Sequence, residues 1–157
     1  MTTISELADV EAIKVLKARY IRFLDTKNWD GLASLFTDDA VFDVGIELDR
    51  GKPSLTKAEY VRLTRDTLSK ATSVHQAYMP EVTITGPTTA TGIWGMCDYL
   101  DFHGAPGPLP SGGTVVRGYG HYHEDYVKED GEWRISSYRV DRLRTDDFAR
   151  PEPALTD

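Results

Sequence analysis

Cysteine is almost missing from this chain: Cys97 stands alone among 157 residues. A lone thiol cannot close an internal disulfide, so the fold must rest on its own core and no oxidising compartment is required. Long apolar runs are missing as well. No stretch approaches the roughly 20 apolar residues of a membrane span. The chain does not open with a basic segment followed by an apolar one, so no signal peptide is expected. Clustered positive charge is the third absence. The formal net charge is −7, a poor match for nucleic acid or an anionic membrane, both of which attract gathered Lys and Arg. Nor is there a Walker, dinucleotide-glycine or G-x-S-x-G pattern. These gaps predict a cytoplasmic protein with no nucleic-acid or membrane partner.

What is present has the balance of a globular domain, with 40% hydrophobic and 27% charged residues. A chain of this length makes one domain and buries roughly two-thirds of its unfolded surface. The domain is expected over residues 1–145. Residues 146–157, which carry Pro151 and Pro153, are expected as a C-terminal arm or disordered tail.

Residues 19–42, RYIRFLDTKNWDGLASLFTDDAVF, organise the rest. Ile13, Leu16, Tyr20, Phe23 and Leu24 recur at helical spacing and define an apolar face that ends at Asp25. Thr3 and Glu6 form a capping box, and Asp9 offers a second cap that would break the helix near Ala8. Asn28 caps a short helix with Trp29, Leu32, Leu35 and Phe36 facing inward, and a strand begins at about Ala40. Gly51 and Pro53 mark a loop over residues 47–53. Thr56 and Glu59 repeat the capping box and open a helix over residues 57–70 with Tyr60, Leu63 and Leu68 toward the core.

Strands rich in Val, Ile, Thr, Tyr and Trp follow over residues 79–85, 88–102, 115–128 and 133–144. Asp130-Gly131 signals a tight hairpin, and HGAPGPLPSGG over residues 103–113 a mobile loop. Helices first and long strands after predict an α+β fold: a cone-shaped, curved, mostly antiparallel sheet with N-terminal helices packed on one face enclosing a pocket.

Alternation then sorts the polar residues. Trp94, Met96 and Asp98 share one face of their strand; Gly118, Gly120, Tyr122, Glu124 and Tyr126 share a face of the next, opposite His121 and His123. On the last strand Trp133, Ile135, Ser137 and Arg139 fall together, which leaves Tyr138 and Val140 with the two histidines on the outer face. An outer face of that kind predicts a homo-oligomer, dimer or trimer. Asp25, His75, Asp98, Tyr20 and an arginine converging on one cone would make an acid/base site. Each also admits a structural role: Asp25 as a helix end, His75 as a surface histidine, Asp98 as the ionic partner of Arg139. His121-x-His123 lacks a glutamate and a third histidine at metal-ligand spacing, so no metal and no organic cofactor is expected.

The run RYIRFLDTKNWDGLASLFTDDAVFDV, the segment SVHQAYMPEVTITGPTTATG around His75 and the closing EDGEWRISSYRVDR resemble the SnoaL-like branch of the nuclear-transport-factor-2-like superfamily, from about Leu7 to Arg144. Within it the chain is similar to the bile-acid 7α-dehydratases and, more distantly, the scytalone dehydratases. The resemblance implies catalytic roles for Tyr20 and Asp25, five apart on the first helix, for His75 at the start of the sheet, and for Asp98 on a strand. A late arginine of that pattern matches Arg139. Scytalone dehydratases instead carry a second histidine near the Asp98 position. The implied activity is that of a cofactor-independent dehydratase or isomerase acting on a hydrophobic cyclic hydroxy-ketone-like molecule, steroid-like or polyketide-like. His75 would be the base, oriented by Asp25 or Asp98, with Trp94, Met96, Tyr122, Phe42, Tyr60 and Arg139 around the substrate. Two alternatives belong to other classes: a non-catalytic module binding a small molecule or a protein, and the small subunit of a ring-hydroxylating dioxygenase.

Overall fold

The computed structural model describes residues 3–44, 54–109 and 111–149. The loop expected over residues 47–53 and the chain beyond residue 149 lie outside the described residues.

Helix α1 (Ile4–Asp25) opens on the expected capping box: the Glu6 N–H donates to the Thr3 hydroxyl at 3.1 Å, and the Thr3 N–H to the Glu6 carboxylate at 2.6 Å. Two otherwise unpaired donors are satisfied, a contribution of about 1 kcal/mol. The helix is not broken near Ala8. Asp9 turns to the sheet instead, accepting from Lys128 Nζ at 2.7 Å and Trp133 Nε1 at 2.9 Å. A carboxylate held this way no longer competes for nearby backbone N–H groups, so the helix runs on. Ile13, Leu16, Tyr20 and Leu24 are buried as their spacing predicts, and Lys17 is buried among them.

Asn28 caps helix α2 (Trp29–Ser34) by accepting from the Gly31 N–H at 2.9 Å. Helix α3 (Lys57–Leu68) has the second capping box, from Thr56 and Glu59, and buries Tyr60 and Leu68.

Strands β1 (Phe36–Asp43), β2 (Leu55–Thr56), β3 (Thr72–Gly86), β4 (Thr89–Asp101), β5 (Val115–Glu129) and β6 (Glu132–Phe148) form one sheet in the order β2-β1-β6-β5-β4-β3. All neighbours are antiparallel except β1 and β6. The sheet curves around the helices without closing, which is the α+β cone expected. Asp130 and Gly131, at φ 50° and 84°, join β5 to β6 in the two-residue turn that matches strand twist.

Strand β1 begins at Phe36, not at about Ala40, because Phe36 pairs with Ile135 of β6. Three further features depart from expectation, and the first two have one cause. Strand β3 begins at Thr72, so His75 lies within it. Its ladder is interrupted between Tyr78 and Glu81, where Met79 has φ 45° and Pro80 has no N–H to donate. The bulge hides one long strand behind what reads as a short one. Strand β6 is bulged twice: Ser136 and Leu143 are skipped in its pairing with β5. Each skipped residue reverses which side chains face the core. Trp133 and Ile135 point inward, and after Ser136 it is Tyr138 and Val140 that do so. The outer-face assignment of Tyr138 and Val140 is therefore corrected; the outward positions carry Val41, Val74, Tyr78 and Ile93 instead. Third, β6 continues to Phe148, into the segment expected as a tail, because Val115 pairs with Phe148 and the Thr114 N–H donates to the Phe148 carbonyl at 3.0 Å.

Candidate active site

Between α1, α3 and the inner face of the sheet lies a cavity of about 100 Å³. Tyr20, Tyr60, Tyr122, Tyr138, His75, Asp98 and Arg142 supply most of its polar groups, with threonines beside them; Leu24, Leu63, Leu68, Leu100, Val116 and Val140 supply much of its apolar wall. Pro108 and Leu109, from the loop between β4 and β5, reach its rim.

Asp25 ends α1, and its carboxylate meets the beginning of β3. It accepts from His75 Nδ1 at 2.6 Å, from the His75 backbone N–H at 2.8 Å and from the Ser73 hydroxyl at 2.8 Å. Lys27 Nζ in turn donates to Ser73 at 2.6 Å. Burial pushes the Asp25 carboxyl upward, but the hydrogen bonds and charge of His75, with the bond from Ser73, more than offset it and hold the group below the ordinary carboxylate range. An ionised Asp25 can only accept, so His75 Nδ1 carries the proton and Nε2 is the nitrogen left for the cavity. Of the two carboxylates considered as partners for His75, Asp25 is the one that pairs with it.

Asp98 is directly across the ladder from His75, yet it binds Arg142, whose Nη2 donates at 2.9 Å. The intervening β5 residue is Gly118. A Cβ there would stand 1.9 Å from Arg142 Nη1 and 2.4 Å from Asp98 Oδ1, so only glycine lets the guanidinium cross from β6 to β4. Those same two atoms are buried without a hydrogen-bond partner. Burial lowers the Arg142 pKa, but the Asp98 carboxylate outweighs it and the guanidinium stays firmly charged.

The arginine of the cavity is thus Arg142, not Arg139. Arg139 is half exposed on the opposite face and pairs with Asp141 at 3.1 Å. The bulge at Ser136 is the reason: it moves residue 139 out and residue 142 in. Three other expected substrate contacts also fall outside the cavity lining. Met96 is fully buried core. Trp94 donates from Nε1 to the Tyr126 hydroxyl at 2.9 Å. Phe42 stacks on Tyr60 at 4.1 Å and 4°, which fixes that ring from behind. On the outer face, His123 meets Asp141 at 3.1 Å, with the His121 ring 6.5 Å away.

Tyr20 reaches the site through its hydroxyl, 2.7 Å from that of Tyr60 and donating to that of Tyr138 at 3.1 Å. With Tyr20 donating to Tyr138, Tyr60 donates to Tyr20, and the Tyr138 proton is the one left for a ligand. Burial first, then the neighbouring phenols, raises the pKa of Tyr20 and of Tyr138 well above the phenol value, so both stay protonated donors. Tyr138 and Arg142 escaped sequence reasoning because a bulge leaves no mark on alternation. Lys17 left one: a lysine three before Tyr20 and four after Ile13 sits on the apolar stripe.

The chain matches the SnoaL-like domain family over residues 5–139. A relative, the probable cyclase FGR4 of Gibberella zeae, is 28% identical over 135 residues, covering 81% of this chain and 86% of that protein. Among solved structures, a hexachlorocyclohexane dehydrochlorinase (LinA) of type 2 superposes with a TM-score of 0.76 at 17% identity, covering 98% of this chain and 100% of that one. A scytalone dehydratase-like protein from Novosphingobium aromaticivorans gives 0.77 at 18%, covering 99% of each chain. At such identities the two structures share the fold with this chain, and nothing finer is read from them.

Proposed function

This chain belongs to the SnoaL-like domain family, and from that premise we propose that it is a cofactor-independent lyase or isomerase that removes a proton from carbon in a hydrophobic cyclic molecule. One observation carries the reading: a histidine lining an apolar cavity, with Nδ1 bonded at 2.6 Å to an ionised aspartate. That is the geometry of a general base held in one tautomer. The relative named as a probable cyclase supports a reaction on a small molecule.

For a β-hydroxy ketone the steps balance as follows. His75 Nε2 takes the proton on the carbon next to the carbonyl, and the bonding pair moves onto the carbonyl oxygen as an enolate. The Tyr138 hydroxyl, backed by the bonds from Tyr20 and Tyr60, donates to that oxygen as its charge grows. The enolate then collapses, the β-hydroxyl leaves with the proton returned by His75, and water and an enone result. With a β,γ-unsaturated ketone the same abstraction gives a dienolate, and return of the proton from His75 to its γ-carbon gives the conjugated isomer instead. Arg142, paired with Asp98, would hold a polar substituent of the substrate. The cavity, about 100 Å³, is smaller than the ~150 Å³ that admits a benzene ring, so it takes only the reacting edge of the ring while the remainder of a steroid-like or polyketide-like skeleton extends past Pro108 and Leu109.

A cyclic β-hydroxy ketone incubated with the protein in D₂O tests this by NMR. Enone formation, or deuterium appearing at the carbon next to the carbonyl, is expected with the wild type and not with His75→Ala. Binding of the ketone with neither outcome would favour a non-catalytic binding module. A cytoplasmic location and a homo-oligomeric state belong to the same proposal; the outward Val41, Val74, Tyr78 and Ile93 support the latter. Light scattering at monomer mass across the micromolar range would remove the oligomer.

A further inference from the structure

Lys17 has no part in the chemistry above, yet it is among the most deeply buried side chains, 1% exposed. Its Nζ bonds Glu124 Oε1, and Glu124 is equally sealed. Glu124 Oε2 accepts from the Tyr126 hydroxyl, which accepts from Trp94 Nε1. Burial holds the Lys17 pKa below the ordinary lysine value, only partly opposed by the charge and hydrogen bond of Glu124. A buried ion pair of this kind is weak evidence for stability, because apolar residues of the same volume often serve as well or better. Its orientation suggests another use. Glu124 lies on the Tyr126–Trp94 side, while Nζ stands 3.6 Å from the Tyr122 ring centroid and 4.3 Å from that of Tyr20. Tyr138 is third, at 5.5 Å. All three rings line the cavity.

We propose that Lys17 is a positioning residue for the tyrosine hydroxyls, its ammonium polarising the rings of Tyr20 and Tyr122 so that the cavity prefers ligands bearing a negative oxygen. A cation on a ring face draws π density toward itself and makes the attached O–H a stronger donor. The Glu124 carboxylate opposes this effect at Tyr122 and Tyr138, but it is Nζ that touches the Tyr122 ring face. The polarisation would act on the enolate and scarcely on the neutral ketone, so it favours the transition state over the ground state. The inference rests on the cavity being the substrate site, as proposed above.

The test uses binding rather than turnover. Affinities for phenol and for 4-nitrophenol are titrated at a pH where only the latter is ionised. The comparison is between wild type and Lys17→Met/Glu124→Gln, where Met keeps the length and Gln keeps an acceptor for Tyr126. The variant should bind the phenolate about tenfold more weakly, the reach of a desolvated cation–π contact, while the neutral phenol changes less than about twofold. Lys17→Arg should restore part of the ratio. Glu124→Gln alone removes the charge and hydrogen bond that hold Lys17 protonated, so it should weaken phenolate binding in the same direction as the double variant, and it serves if the double variant does not fold. Equal losses for both ligands, or no change in the ratio, would overturn the role of Lys17 while leaving the cavity as the binding site. If neither phenol binds the wild type, the cavity reading falls as well.

Discussion

Asp25 and His75, fifty residues apart in the chain, are joined by two hydrogen bonds: ring Nδ1 to carboxylate at 2.6 Å and backbone N–H to carboxylate at 2.8 Å. The second bond fixes the backbone at the start of β3, and the first fixes the ring, so one helix-terminal carboxylate aligns both. His75→Ala should therefore lower turnover of a cyclic β-hydroxy ketone by about 10²–10⁴-fold. Asp25→Asn, which keeps the shape of the side chain, should lose less. Steady-state rates beside melting curves of each variant check this, and near wild-type turnover in His75→Ala would move the chemistry elsewhere.

Asp25 also sets a pH dependence of stability. Its folded pKa is lowered, so its contribution is complete above the unfolded value of about 3.9 and is lost as pH falls through the lower folded value. Urea midpoints of wild type and Asp25→Asn should accordingly differ at neutral pH and converge below about pH 4. A gap that persists unchanged into strong acid would mean the carboxylate is not held in its charged form.

Arg142 and Arg139 separate by substitution. Arg142→Met leaves the buried Asp98 without its partner and should cost about 3 kcal/mol, together with a loss of substrate affinity. Arg139→Met, at a half-exposed surface pair, should stay within about 0.5 kcal/mol. Chemical denaturation of the two variants decides the matter, and the reverse ranking would restore Arg139 to the site.

Gly118→Ala probes the crossing itself. A methyl 1.9 Å from Arg142 Nη1 must push the guanidinium off Asp98. Breaking this buried pair should lower stability toward the loss expected of Arg142→Met, and activity should drop by about 10²-fold, as for a misplacement near 1 Å. Unchanged activity would show that the Asp98–Arg142 pair is not needed for the reaction.

Much of this protein is local and was legible. Both capping boxes, the Asn28 cap and the Asp130-Gly131 turn follow from side chains bonding backbone within a few residues, and period-two alternation placed Asp98, Tyr122 and Glu124 inward on β4 and β5. Tyr20, Asp25 and His75 could be nominated from residue type, position and family resemblance. What the sequence could not decide was set by events between strands. The bulges at Ser136 and Leu143 exist only as mismatches between β5 and β6, and the one at Ser136 exchanges Arg139 for Arg142 and turns Tyr138 inward. Asp25 found His75 rather than Asp98 because α1 ends beside β3, while Gly118 opened the way for Arg142 to claim Asp98. Lys17 has the same origin, since a lysine enters an apolar stripe only where a distant strand supplies Glu124. Caps, turns and alternation are settled by neighbours in the chain. Partners across the sheet depend on register, and register is a property of the assembled fold.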